Sequence, residues 1–186
     1  MRIRDATVDD LAAISALYNA TVPTTTAAWT ETTEVLADRM AWFARQQAAG
    51  SPTLVAEIDD AVVGFTAFGD FRDTAKWPGY RFVAELTVHV GESMWGQGVG
   101  RALITELLIR ARSLGKTQIV AAVDGDNEAS LRFHERVGFV EVARMPSIGF
   151  KFGRWLDLVL LQRSTAPELP ERPSAPNPPR PPEHDR

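Results

Sequence analysis

The sequence predicts an α/β protein whose strands and helices interleave without the regular alternation of a repeated βαβ series. Three observations predict it. Short apolar runs such as "TLVAEI" and "TQIVAAV" are separated by segments with a 3.6-residue apolar period. Gly50, Gly115 and Gly138 stand just past three of those periodic segments, where a left-handed residue ends a helix. A chain of 186 residues with 45% apolar and 24% charged side chains is also long enough to bury one real core.

The elements follow in order. "RIR" opens a short strand, and "TVDDLAAISALYNA" is a helix with Thr7 as N-cap and Asp10 completing a variant capping box. Leu11, Ile14, Leu17 and Tyr18 form its buried stripe. The polar stretch "TVPTTTAAWTETT" leads to a second helix from near Glu34 to Ala49. "TLVAEI" and "VVGFTAFGDF" flank the turn "DDA" as a hairpin. After the loop "RDTAKWPGY", the strand "RFVAELTVHV" puts Phe82, Ala84, Leu86 and Val88 on one face and Val83, Glu85, Thr87 and His89 on the other. A third helix runs to about Leu114, with Leu103, Leu107, Leu108, Ala111 and Leu114 directed inward. "TQIVAAV" is a strand, "NEASLRFHERV" a helix, and "FVEVARM" and "FGRWLDLVLLQ" the last two strands.

From Ser164 onward the character changes. "STAPELPERPSAPNPPRPPEHDR" holds eight of the twelve prolines and almost nothing apolar, too little to offset the entropy of ordering. The folded unit is expected over 1–163, with 164–186 as an extended or disordered tail; a ligand for a proline-recognising partner is the other reading of that tail. Cysteine is absent, so disulfides, thiolate metal sites and a cysteine nucleophile are excluded. A net charge of -4 gives no overall attraction to nucleic acid or anionic membrane. The start "MRIRDATVDD" has no apolar leader, and no stretch approaches the ~18 uncharged apolar residues of a membrane span, so a soluble, unexported protein is expected.

The segment "MWGQGVGRALITELL" sets Gly96, Gly98 and Gly100 directly before the third helix. A helix N-terminus presents free N–H groups and partial positive charge, and glycines keep Cβ atoms from blocking a diphosphate's approach. With Arg101 adding a cation, Gly96 to Arg101 reads as a pyrophosphate cradle; a plain glycine-rich turn is the alternative. Two nucleotide motifs fail on spacing. Arg101-Ala102 stands where a P-loop needs Lys-Ser or Lys-Thr. Leu103 stands where a dinucleotide fingerprint needs a third small residue.

That segment resembles the acetyl-CoA signature of the GNAT superfamily of N-acetyltransferases. "YNATVPTTTAAW", "GYRFVAELTVHV", "LRFHERVGF" and "GFKFGRWLDLVLLQ" are together similar to its phosphinothricin and methionine-sulfoximine acetyltransferase branch, over essentially 1–163. The resemblance implies the GNAT fold, a mixed central sheet of about seven strands with about four helices, and acetyl-CoA as cosubstrate without a metal. It implies a cytoplasmic homodimer that acetylates the α-amino group of a small amino acid or analogue. The contacts it implies for the cofactor are the Thr87, Val88, His89 and Val90 backbone, the stretch Trp95, Gly96, Gln97, Gly98, Val99, Gly100 and Arg101, and Asn127 with Ser130. Trp95 departs from the signature, which has Arg or Gln there, so weaker cofactor affinity is expected.

The chemistry needs a base, because an α-amino group is at least partly protonated at neutral pH. Glu85 matches the branch's acidic residue and is the candidate; apart from the resemblance, it reads as a solvent-facing or ion-paired strand residue. His134 shares a helix face with Asn127 and Ser130 and is the second catalytic candidate, either protonating the departing thiolate or acting as base with Glu85 orienting it. Simple packing beside Phe133 is its other reading. For the acceptor, Arg72 suits a carboxylate, with Phe71, Asp73, Tyr80, Glu85 and Thr87 completing the expected site; a mobile surface loop is the alternative for 71–81. Trp29 either closes the site or packs in the core. A non-catalytic acyl-CoA-binding module on the same fold is the competing function.

Overall fold

The computed structural model describes residues 1–165; residues 166–186 of the expected tail lie outside the described residues. Seven strands form one sheet: β1 (Arg2–Asp5), β2 (Thr53–Ile58), β3 (Ala61–Asp70), β4 (Val83–Val90), β5 (Gln118–Asp124), β6 (Val140–Lys151) and β7 (Arg154–Ser164), in the order β1-β2-β3-β4-β5-β7-β6. Among the described residues only β4 and β5 pair in parallel. The helices are α1 (Leu11–Thr21), α2 (Leu36–Ala48), α3 (Val99–Ser113) and α4 (Glu128–Arg136).

Alternation in the strands divides the core in two. Ala84 and Leu86 of β4 join Leu103, Ile104 and Leu107 of α3 in the larger cluster. Leu11 and Ile14 of α1, Phe43 of α2 and Val55 and Phe65 of the sheet make the smaller one on the opposite face. The Asp10 carboxylate accepts the Thr7 N–H at 2.7 Å and two bonds from the Arg4 guanidinium, which fixes the entry to α1. Asp59 and Asp60 both have positive φ, the conformation that a two-residue hairpin turn requires between β2 and β3.

Several boundaries differ from the sequence reading. The second helix starts at Leu36, not near Glu34, because the Asn19 side-chain amide bonds both the N–H and the C=O of Glu34 and holds that peptide outside the helix. Leu114 is not an inward position: α3 ends at Ser113 and Leu114 turns outward, 51% exposed, while Ile104 is fully buried. Phe82 precedes β4 and is exposed. The strand expected as "FVEVARM" continues to Lys151 through Pro146, which an edge strand tolerates where its ladder shifts between Met145 and Gly149. At the other end β7 runs through Ser164, and Thr165 donates its N–H to Thr117 O at 3.1 Å.

Candidate active site

Strand β4 pairs with β5 only at Val83, Ala84 and Glu85, opposite Gln118, Ile119 and Val120. Both strands continue, to Val90 and Asp124, paired with β3 and β7 but no longer with each other. The sheet therefore opens just past Glu85. Gly64 lies opposite Val90 and Gly91 N–H bonds Val63 O, so the alternation of an antiparallel ladder turns the Thr87 and His89 peptides toward β3. Leu86, Val88 and Val90 turn theirs to the open edge. This corrects the expectation that all of Thr87, Val88, His89 and Val90 present backbone donors. The Val90 carbonyl on that edge is taken by the Trp95 indole N–H at 2.9 Å.

Two clefts flank the opening. One, of about 70 Å³, is lined by Thr87, Val88 and His89 on one side and by Asn127, Ser130 and His134 on the other. The sequence grouping of those three α4 residues is thus realised. Asn127 caps α4, its Oδ1 accepting Ser130 N–H at 3.1 Å. His134 is buried, and its Nδ1 lies 2.8 Å from Ser130 O. Its Nε2 is buried without a hydrogen-bond partner among the described residues. Burial holds its pKa below the usual value despite the Ser130 bond.

The second cleft, of about 480 Å³, adjoins the first, sharing Ala27, Leu86, Thr87 and Ala122 with it, and contains Glu85, with Trp42 and Gln46 of α2 and Trp29 from the loop after α1. Glu85 is half-buried, and desolvation raises its pKa, partly offset by the positive charge of Arg72. Arg72 is exposed and has no salt bridge among the described residues; its guanidinium lies 5.3 Å from the Phe71 ring centroid, and Phe71 lies 6.0 Å from Tyr80. The Asp73 carboxylate is used within its own turn, accepting the N–H groups of Ala75 and Lys76. Glu85 and His134 line different clefts and share no hydrogen bond among the described residues, so Glu85 does not orient the imidazole in this structure.

The glycines have separate reasons. Gly96 and Gly98 have φ of +76° and +83°, and a Cβ at either would meet open space, so both are required by the turn and leave the approach to α3 clear. Gly100 differs: a Cβ there would lie 2.9 Å from Phe133 Cζ, so its missing side chain serves the packing of α3 on α4, and only its backbone N–H is left for the cradle. The N–H groups of Val99, Gly100 and Arg101 find no acceptor among the described residues, as the first turn of a helix leaves them. Gln97 spends its side chain on Ser93 O at 2.8 Å. Arg101 is exposed and free of side-chain bonds among the described residues. Free donors, a clear approach and an uncommitted cation fit a diphosphate.

Although His89 lines the narrow cleft, its ring is committed to aromatic packing. It stacks on Phe65 at 5.2 Å and meets Tyr18 edge-on at 5.4 Å, inside the smaller core. Trp42, Gln46, Ala122 and Leu158, which also line the larger cleft, carry no motif that marks them in the sequence.

Comparison with known proteins agrees with this geometry. The model of the acetyltransferase (GNAT) family matches residues 14–139. The L-amino acid N-acyltransferase MnaT of Escherichia coli K12 is 43% identical over 87% of this chain and 92% of its own. The L-methionine sulfoximine/L-methionine sulfone acetyltransferase of Salmonella typhimurium is 41% identical over 87% and 93%. The phosphinothricin N-acetyltransferase of Alcaligenes faecalis is 40% identical over 83% and 78%. The crystal structure of yncA from Salmonella typhimurium, solved with its cofactor acetyl-CoA, superposes with a TM-score of 0.85 at 39% identity, covering 94% of this chain and 98% of that one. A sheet opened between two parallel strands, a glycine turn before α3 and relatives this similar over most of their length lead to one assignment: the chain belongs to the GNAT acetyltransferase family.

Proposed function

We propose that this protein transfers the acetyl group of acetyl-CoA to the α-amino group of a small amino acid or close analogue, of the methionine sulfoximine, methionine sulfone or phosphinothricin type, within one ternary complex. The observation that carries this reading is Glu85: a carboxylate with a raised pKa in the larger cleft, at the point where the sheet opens, with Arg72 within electrostatic reach. A raised pKa makes a carboxylate a better acceptor for an ammonium proton.

Acetyl-CoA supplies an activated acyl group. The Gly96–Arg101 turn and the amide ends of Val99, Gly100 and Arg101 hold its diphosphate, with the Arg101 guanidinium adjacent. The peptides of Leu86 and Val88 pair with its amide-bearing arm as an added strand would. Asn127 and Ser130 line the same narrow cleft. Arg72 binds the acceptor's α-carboxylate, and Phe71 and Tyr80 wall its side chain. Glu85 takes the ammonium proton, directly or through one water. His134 lines the same cleft as an imidazole whose burial favours the neutral form, and it exchanges a proton there.

The protein is placed in the cytoplasm as a homodimer on this reading. No described helix is long and apolar enough to cross a membrane. The edge strand β6 and the start of β7 expose Val140, Val142, Ile148, Phe150 and Trp155, apolar surface that a second copy would cover.

The test is a thiol-release assay with acetyl-CoA against amino acids, sulfoximines, polyamines and aminoglycosides. Turnover on amino-acid amines and their sulfoximine or sulfone analogues is expected. Activity confined to polyamines overturns the acceptor class, and acetyl-CoA binding without turnover on any amine identifies a non-catalytic module.

A further inference from the structure

Lys151 ends β6, far from Glu85 in sequence, yet it is only 1% exposed. Its Nζ donates to three backbone carbonyls: Val22 O at 2.7 Å, Thr25 O at 2.7 Å and Ala28 O at 2.6 Å. Three acceptors match the three hydrogens of an ammonium group. The carbonyls belong to one loop, the chain that leaves α1. That loop has no strand or helix ladder to satisfy its peptide groups, and buried carbonyls need a donor.

Two further contacts bring the same loop to the same hairpin. Phe152 N–H, in the turn between β6 and β7, donates to Glu31 Oε1 at 2.9 Å. The Trp29 ring lies directly on Gly149, where no Cβ would fit. The gripped loop is the one that reaches the site: Thr26 and Ala27 line the narrow cleft, and Ala27 and Trp29 line the larger one beside Glu85.

We propose that Lys151 is a positioning residue for the acceptor: it fixes the loop 22–29 as a wall of the larger cleft and sets acceptor affinity without lining that cleft. The assignment rests on the acetyl-transfer reading above. The glycine turn before α3, which holds the diphosphate on that reading, is not touched by this grip, so acetyl-CoA affinity responds less than acceptor affinity even though Thr26 and Ala27 also line the narrow cleft. Gly149 acts on the same wall through the seat it leaves for Trp29.

The test compares the full-length chain with K151M, which keeps an unbranched stem one atom shorter and removes the donors, and with G149A, which displaces Trp29 from an edge strand. Amide hydrogen exchange over 22–31, acceptor KM with methionine sulfone, kcat, and acetyl-CoA Kd by calorimetry are measured for each. In K151M, exchange in 22–31 is expected to quicken by about tenfold or more, with acceptor KM raised by about tenfold and acetyl-CoA Kd within about twofold. G149A is expected to raise acceptor KM in the same manner. Loss of folded protein alone would lower apparent kcat and leave KM unchanged. Acceptor KM within about twofold of wild type in folded K151M overturns the proposal, and if K151M does not fold, an unchanged KM in G149A does so. Wild-type protein without turnover on any amino acid overturns the underlying reading and this assignment with it.

Discussion

His134 donates its Nδ1–H to the carbonyl oxygen of Ser130 at 2.8 Å, because a carbonyl can only accept. The bond fixes the tautomer and leaves Nε2 as a lone pair, buried and without a hydrogen-bond partner among the described residues, on a side chain that lines the narrow cleft. Burial also lowers the imidazole's pKa, so at neutral pH His134 can take a proton but must do so before it gives one. A thiolate-protonating role therefore needs a proton delivered first. Replacing His134 with Phe is expected to lower kcat by about 10- to 100-fold, with acetyl-CoA Kd little changed. Near wild-type kcat in a folded variant would return the residue to a packing role beside Phe133 and Phe139, whose rings lie 5.1 and 5.5 Å away.

Glu85→Gln keeps the shape and removes the base. Turnover is expected to fall by about 100-fold or more, while acetyl-CoA binds with near-normal affinity. Stopped assays with paired calorimetry separate the two quantities. Full turnover in the variant would remove Glu85 from the mechanism.

Arg72 acts on Glu85 through its charge, holding the carboxyl lower than burial alone would. Arg72→Ala should therefore raise the Glu85 pKa and move the acidic limb of the kcat profile to higher pH. Acceptor KM should rise at the same time through loss of a carboxylate partner. An unshifted limb with unchanged KM would separate Arg72 from the site.

Gly98 and Gly100 should respond differently to Ala. At Gly98 the left-handed φ of +83° costs an L-residue roughly 1–2 kcal/mol, and the strain falls on the turn itself, so acetyl-CoA affinity should drop first. At Gly100 the new methyl meets Phe133 Cζ at 2.9 Å, so thermal stability should drop, by an overpacking cost of roughly 1–3 kcal/mol. Melting curves beside cofactor titrations distinguish the pair.

His89 links stability to pH. Burial, with a smaller contribution from the Arg39 charge, lowers its pKa from 6.5 to about 4 in the folded protein. Between those values the unfolded chain binds the extra proton, so this contribution is fully present above pH 6.5 and is lost as pH falls toward 4. The full effect is at most about 3 kcal/mol. His89→Phe should flatten the fall in unfolding free energy between pH 6.5 and 4, measured by denaturant titration. An unchanged slope would mean that His89 does not carry it.

Much of the fold was legible because it rests on local pattern. The Thr7–Asp10 entry to α1, the alternation along β4 and the glycine stop at Gly115 depend on neighbours a few residues away. The start of α2 was not legible, since Asn19 claims the Glu34 peptide from another helix. In the site, Asn127, Ser130 and His134 could be grouped from helical spacing alone, and Glu85 with Thr87 from strand period.

By itself the sequence determined which residues share a face, where turns need glycine, and that the chain resembles an acetyl-transferring family. Only the tertiary structure decided that Gly100 answers to Phe133 and Gly98 to backbone conformation, that Leu86, Val88 and Val90 own the open edge, and that Lys151 grips a loop built more than a hundred residues earlier. The reason is physical. Periodicity encodes a residue's own direction, but a contact between distant segments depends on the path of both chains, which no single stretch contains.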